Sequence, residues 1–412
     1  MILEKKIDIF MSVTEIIKPY PKRMRAIHIV LFFVFFIVSC GPNTSGQYKY
    51  EPPKSSNDGL NTGHLNEVGM DSVIMGKAIK KAQQGKFRQI HSILIYKDNT
   101  LVLEEYFPGH KYQWDARKHE GEWVNWDRNM LHSIMSDTKS ITSVCIGIAI
   151  DQGFIKSVHQ SIFDYLPEHQ HLRTGDKSKI TIEHLLTMTS GLEWSEWQSP
   201  YSNLENPIIA IWYSKKDPLS FILEGQLVHE PGTSYSYYGG NMIILGEIIR
   251  NATKMAIDEF SAKYLFDPLG IEVFDWSVQF NNGVFEAAGG LRLKPRDMLK
   301  IGITFLHNGV WKGNRIISEQ WVEKITTPFH GNTAIKVPGE DSDKIAYSYS
   351  WWIDQFSYSG KTAEGFYAGG WGGQKIIVIP KLNTVVVFTG GNYTSKLRQF
   401  KLLEKYILPS MS

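Results

Sequence analysis

Two strand-turn-strand patterns stand far apart in this chain, and no other feature limits its fold as tightly. Ser92–Tyr96 and Leu101–Phe107 flank the polar Lys97-Asp98-Asn99-Thr100, while Lys375–Ile379 and Thr384–Thr389 flank Pro380-Lys-Leu-Asn383. Lys396–Ile407 then has helical spacing. Between the two patterns, roughly from Ser136 to Lys300, the chain is helical or irregular, as in Ile180–Met188 and Asn241–Arg250, and it carries no internal repeat. Two distant strand pairs bury their faces most simply in one sheet. The expected fold is α+β: an antiparallel sheet flanked by helices, built from both chain ends, with a mainly helical region inserted at about 136–300. A cleft between sheet and insertion would hold the site.

Of the 412 residues, 42% are hydrophobic and 21% charged, enough for a large core. The formal net charge of +2 gives no electrostatic case for nucleic acid, so a small-molecule or peptide-like substrate is expected. Lys22, Arg23 and Arg25 precede the nearly unbroken apolar run Ile27–Val38, which is short for a membrane span and is followed by Ser39-Cys40. This resembles a bacterial lipobox. It implies a signal peptide over 1–39, lipid on Cys40 and an exported lipoprotein on the periplasmic side of a membrane, the outer membrane being the expected one. An uncleaved N-terminal anchor is the alternative, and either places the body outside the cytoplasm. Residues 40–65, rich in Gly, Pro, Asn and Ser, read as a flexible tether, leaving 66–412 as the folded domain.

Ser136-Asp-Thr-Lys139 is the one S-x-x-K of the chain. Ile141, Val144, Cys145, Ile148 and Ala149 follow at spacings of three and four, Ile146 and Ile150 fill another face, and Gly153 closes the segment. A helix buried nearly all round is expected. It would place Ser136 at the N-terminus, where backbone N–H groups favour negative charge, with Lys139 one turn on along the same side. A serine hydroxyl needs a neighbouring base to attack a carbonyl, and a desolvated lysine can lose its proton readily enough to serve. The plain alternative is an N-cap serine and a solvated first-turn lysine.

Ile180–Leu192, Pro231-Gly232 through Tyr237, Gly240–Gly246, and Ala288–Arg292 with Pro295-Arg-Asp297 follow in order. Together with Ser136 and Lys139 they resemble the serine β-lactamases of class C, the penicillin-binding D-peptidases, and related esterases and aminohexanoate-oligomer hydrolases, over about residues 90–395. The resemblance implies that fold, a Ser136 acyl-enzyme and no cofactor. It gives Tyr237 the place of a tyrosine that shuttles the nucleophile's proton beside the lysine, with Tyr235 and Tyr238 as alternatives. A nearby ammonium would lower that tyrosine's pKa.

Two boxes depart from the family pattern. Gly239 stands where asparagine often contacts the substrate. The third box, Lys-Thr-Gly or His-x-Gly in many members, is best matched by Ala368-Gly369-Gly370 and has no basic side chain. Gly239, Ala368, Gly369 and Gly370 are therefore the expected substrate contacts, and the backbone N–H groups of Ser136 and Trp371 the expected oxyanion hole. A register shifted to Trp371-Gly372-Gly373 would move the second donor. Lys361-Thr362-Ala363 imitates the box without an apolar strand directly after it.

His169-Gln-His171 lacks a third metal ligand at a recognisable spacing, Cys145 reads as a core thiol, and His132 and His184 read equally as structural. No metal is expected. Without a G-x-S-x-G elbow the α/β-hydrolase fold is disfavoured. The favoured function is an esterase or amidase over a β-lactamase. The alternative is a catalytically silent peptidoglycan- or peptide-binding lipoprotein of the same fold.

Overall fold

A computed structural model of the protein describes residues 48–411 apart from 195 and 344. The signal peptide, Cys40 and the start of the tether lie outside the described residues. Strand β1 (Ile90–Lys97) turns through Asp98 and Asn99 into β2 (Thr100–Tyr106), and both turn residues take the left-handed conformation that Asp and Asn tolerate. A hairpin of β3 (Pro108–Tyr112) and β4 (Glu120–Asn125) follows. The other strands of the main sheet are β5 (Ala346–Ser348), β6 (Trp351–Tyr358), β7 (Lys361–Gly370), β8 (Gln374–Ile379) and β9 (Thr384–Gly390).

One seven-stranded sheet results, in the order β2-β1-β9-β8-β7-β6-β5, with antiparallel pairing throughout. The strands from the two parts of the chain join where β1 pairs with β9, Leu94 opposite Val387 and Lys97 opposite Thr384. Every residue of β8 and β9 is buried. Both of their faces are covered, which is why their sequences are apolar runs and do not alternate.

Helix α1 (Ser72–Gln83) is capped by Asp71, whose Oδ1 accepts from the N–H groups of Val73 and Ile74 at 2.7 and 3.0 Å. It packs with the C-terminal helical turns Gln399–Ile407, where Phe400 and Tyr406 meet Tyr367 and Phe87. Helices α2 (Asp137–Asp151) and α4 (Pro295–Leu306) lie against the other face, and α3 (Gly239–Thr253) packs on α2. Gly302 lets α4 approach the sheet: a Cβ there would stand 2.6 Å from Val385 and 2.9 Å from Ile376. A fifth helix, α5 (Glu319–Thr326), places Trp321 against Gly147 of α2.

The expected α+β sheet from both chain ends, with a helical insertion, is the fold observed. Two expectations need correction. Residues 48–65 are not a tether: Leu60 is buried, the Tyr50 hydroxyl donates to the Val102 carbonyl at 2.7 Å, and the Leu101 N–H donates to the Asn61 carbonyl at 2.8 Å. Polar composition hid two tyrosines and a leucine that cover the otherwise open edge of β2. Lys361, read as lacking a strand, opens β7 and pairs with Tyr358 across a tight turn.

Candidate active site

The site begins one residue before α2. Met135 is held at φ 50°, an unusual conformation for a residue with a side chain, and Ser136 caps the helix without spending its hydroxyl on a backbone N–H. From Asp137 to Ala149 every residue of α2 is buried. Its polar side chains are satisfied by neighbouring loops. The hydroxyls of Ser140 and Ser143 donate to the carbonyls of Ser350 and Tyr349 at 2.6 and 2.7 Å, and Thr142 donates to Ala287 at 2.8 Å. These bonds fix the register of the helix, and with it the position of Ser136.

Lys139 is 3% exposed, and its Nζ donates to Ser136 Oγ at 2.9 Å and to the Ala288 carbonyl at 3.0 Å. Burial pushes its pKa below the ordinary lysine value, while the carboxylates of Glu196 and Glu286 pull it back up. Tyr237 completes the group. The Lys139 ammonium stands 5.0 Å from its ring centroid, and the ring clusters with those of Trp197 and Trp352 at 4.8 and 6.0 Å, the two tryptophans being 6.3 Å apart. Its pKa is held well above the usual tyrosine value, by burial first and Glu196 next, with the Ser136 hydroxyl acting the other way. The expected lowering by the ammonium is therefore reversed. Tyr238 turns away to stack on Trp194 at 4.2 Å, and the Tyr235 hydroxyl is buried without a partner among the described residues.

Strand β6 stops pairing at Trp352, opposite Tyr367, and leaves the end of β7 free beside Ser136. Gly370 is required there: a Cβ would stand 2.3 Å from the Ile134 carbonyl. Among the described residues, the backbone N–H groups of Ser136 and Trp371 have no backbone acceptor outside helix and strand ladders. Both residues line the same two cavities, one of about 680 Å³ that also meets Gly369, Gly370 and Glu340, and one of about 410 Å³ that also meets Lys139. An oxygen bound between two such donors would be stabilised as it gained charge.

Two expected substrate contacts face elsewhere. Ala368 is fully buried, sharing its sheet face with Ile376, and lines neither cavity. Gly239 is buried as the first residue of α3, and its N–H donates to Glu196 Oε2 at 2.8 Å. A Cβ at 239 would stand 2.9 Å from that oxygen, so the Glu196 carboxylate fills the space a side chain there would need. Trp194 Nε1 and the Tyr201 hydroxyl donate to the same carboxylate at 2.9 and 3.1 Å.

Sequence reasoning missed Glu196, Glu286, Trp197 and Trp352. Glu196 and Trp197 are neighbours in one loop, while Glu286 and Trp352 come from two distant parts of the chain, with no shared spacing. It also missed Lys375, whose Nζ lies 3.0 Å from where a Cβ of Gly369 would be, across β7 and β8. The ammonium is buried and paired with Glu340, which also accepts from the Tyr367 hydroxyl at 2.9 Å. Asp137, next to the serine, is fully buried with neither oxygen partnered among the described residues. Burial pushes its carboxyl well above the usual range against the pull of Lys375.

The remaining candidates are structural. His132 and His91 share a buried 2.9 Å hydrogen bond, and burial lowers His132 to a pKa of about 4. His184 closes a capping box with Thr181, His169 pairs with Asp217 at 2.8 Å, and the Cys145 thiol is buried and pushed up. The described residues contain no group of three or more His, Cys, Asp or Glu able to hold a metal.

A family model described as Beta-lactamase matches residues 80–400. A 6-aminohexanoate-dimer hydrolase of Paenarthrobacter ureafaciens is 24% identical over 62% of the chain, which spans 65% of that relative's length. Among solved structures, a family VIII carboxylesterase aligns with 86% of this chain and 98% of its own at TM-score 0.60 and 17% identity. A penicillin-binding protein homologue from Pyrococcus abyssi aligns with 80% and 75% at TM-score 0.57 and 19% identity. At these identities the structural likenesses speak for the fold.

Proposed function

The chain belongs to the beta-lactamase family, and from that premise we propose that it is a serine esterase or amidase acting through a Ser136 acyl-enzyme. One observation carries the reading: a buried lysine, its pKa pushed down, bonded at 2.9 Å to a serine hydroxyl that no cap has claimed. Neutral Lys139 takes the proton as Ser136 Oγ attacks an ester or amide carbonyl. The resulting oxyanion sits between the N–H groups of Ser136 and Trp371. Tyr237, kept protonated by burial, passes a proton to the leaving group and recovers it from Lys139. Water then cleaves the acyl-enzyme by the same route.

Esters and amides are favoured over β-lactams because the third box carries no cation of its own: Ala368 is buried, and Lys375 beside it is held by Glu340. A charged contact to a substrate carboxylate is worth roughly 1.5–3 kcal/mol. We expect kcat/KM for a short-chain nitrophenyl ester to exceed that for a chromogenic cephalosporin by at least about tenfold. Intact-mass detection across esters, amides and β-lactams should find the acyl adduct on the wild type and none on folded Ser136→Ala. An adduct on that variant, or a cephalosporin as the better substrate, would overturn the respective half of the reading.

We propose further that Cys40 carries a lipid that holds the body at a periplasmic membrane surface, which the Lys22–Cys40 pattern supports. Radiolabelled palmitate should enter the wild type and not Cys40→Ala; equal labelling would sink the anchor.

A further inference from the structure

Ser136 opens onto two cavities, and the smaller one has a chemical character that the acyl-enzyme chemistry does not require. Its polar lining gathers around the nucleophile, where Ser136 and Lys139 meet the carboxylates of Glu196 and Glu286, with Ser133, Tyr112 and Tyr201 also present. Outward, one wall is Trp114, in the turn between β3 and β4, and the other is the short helix Pro207–Tyr213 with Ile208, Ile209, Trp212 and Tyr213. Val278 closes a third side. Arg292, its side chain half exposed, also lines the cavity and is paired with Asp275 at 3.2 Å.

The apolar lining continues to the mouth, where Trp114 is 37% and Tyr213 63% exposed. Large apolar side chains left in water beside a concave apolar wall mark a place where an apolar ligand gains by covering them. The cavity is about 410 Å³ and begins at the nucleophile, so whatever fills it is attached to the scissile carbonyl.

We propose that this cavity binds a hydrocarbon arm of the substrate, making the enzyme selective for esters or amides with an aliphatic chain on one side of the cleaved bond. The proposal rests on the Ser136 hydrolase reading for its chemistry, but not for the binding itself. The apolar walls of Trp114, Ile208, Ile209, Trp212 and Val278 give a strongly hydrated arm little to bond with, whereas each methylene withdrawn from water favours the bound state about three- to fourfold.

The test uses two substrate series read by proton release with the wild-type protein: methyl esters of acetate to octanoate, and acetate esters of methanol to octanol. In one series kcat/KM should climb by at least about tenfold between the two-carbon and six-carbon members. Val278→Trp, which fills the cavity from its third side, should lower the ratio of long-chain to short-chain turnover by a similar factor. Calorimetry should find N-octylacetamide bound by Ser136→Ala and N-methylacetamide not.

Flat profiles in both series, or equal binding of the two amides, would overturn the proposal. If Val278→Trp does not fold, the wild-type series alone decide. Absence of all turnover with N-octylacetamide still bound would sink the hydrolase reading and leave the hydrocarbon site standing.

Discussion

Lys139 is held between opposing influences: burial drives its proton off, and the carboxylates of Glu196 and Glu286 keep it on. Glu196→Gln keeps an acceptor for Gly239 and Trp194 while removing one charge. The Lys139 pKa should then fall further. If neutral Lys139 is the base, the ascending limb of the kcat/KM profile should move to lower pH. A limb that stays in place, or moves up, would show that Glu196 does not act on Lys139. Ser136 and Lys139 were legible in the sequence because both lie on one turn of one helix, where spacing is geometry. Glu196 was not, since a loop brings it to Gly239 across 43 positions and no local pattern records that meeting. Even the missing asparagine at 239 read as an empty place, although a carboxylate from elsewhere fills it.

Among the elements, the four outermost-lying strands of the sequence, β1, β2, β8 and β9, were readable because each is a run of branched and aromatic residues beside a polar turn. Strands β6 and β7 were not. Asp354 and Gln355 interrupt one, Gly365, Gly369 and Gly370 thin the other, and both are held by their pairing with each other and with β8. Helix-to-sheet distance is likewise a tertiary matter. Gly302 on α4 reads as a poor helix residue, yet it lies where Val385 and Ile376 leave no room for a Cβ. Gly302→Leu should cost about 1–3 kcal/mol despite its better helix propensity, seen as a lower urea midpoint with unchanged slope. A stabilised variant would mean that α4 can lift off the sheet freely.

For the molecule as a whole, Arg296 is the main polar tie. Its guanidinium forks onto Glu104 of β2 at 2.8 and 2.6 Å and reaches Asp58 at 2.7 Å and the Lys54 carbonyl at 2.8 Å, joining α4, the sheet edge and the N-terminal segment. The Glu104 side chain is 1% exposed. Arg296→Ala would leave that carboxylate with Arg128 and the Tyr106 hydroxyl, each at 2.8 Å. We expect a loss of about 3–5 kcal/mol by chemical denaturation, together with protease cleavage within 48–65, which Arg296 helps to hold. Unchanged stability would show that Arg128 and Tyr106 suffice. The Pro295-Arg-Asp297 stretch was noticed in the sequence as a recurrent motif, but what its arginine joins depends on residues 54–58, which composition had assigned to a tether.

The pairing of β1 with β9 has a consequence in time. A ribosome makes β1 and β2 long before β9, so until β9 emerges β1 lacks the neighbour that covers its inner edge. Until Thr384–Gly390 has emerged, the nascent chain carries an open, apolar strand and no complete sheet on which α4 can settle. Such a chain gains little by folding as it is made. The sheet becomes continuous only when β9 slots between β1 and β8.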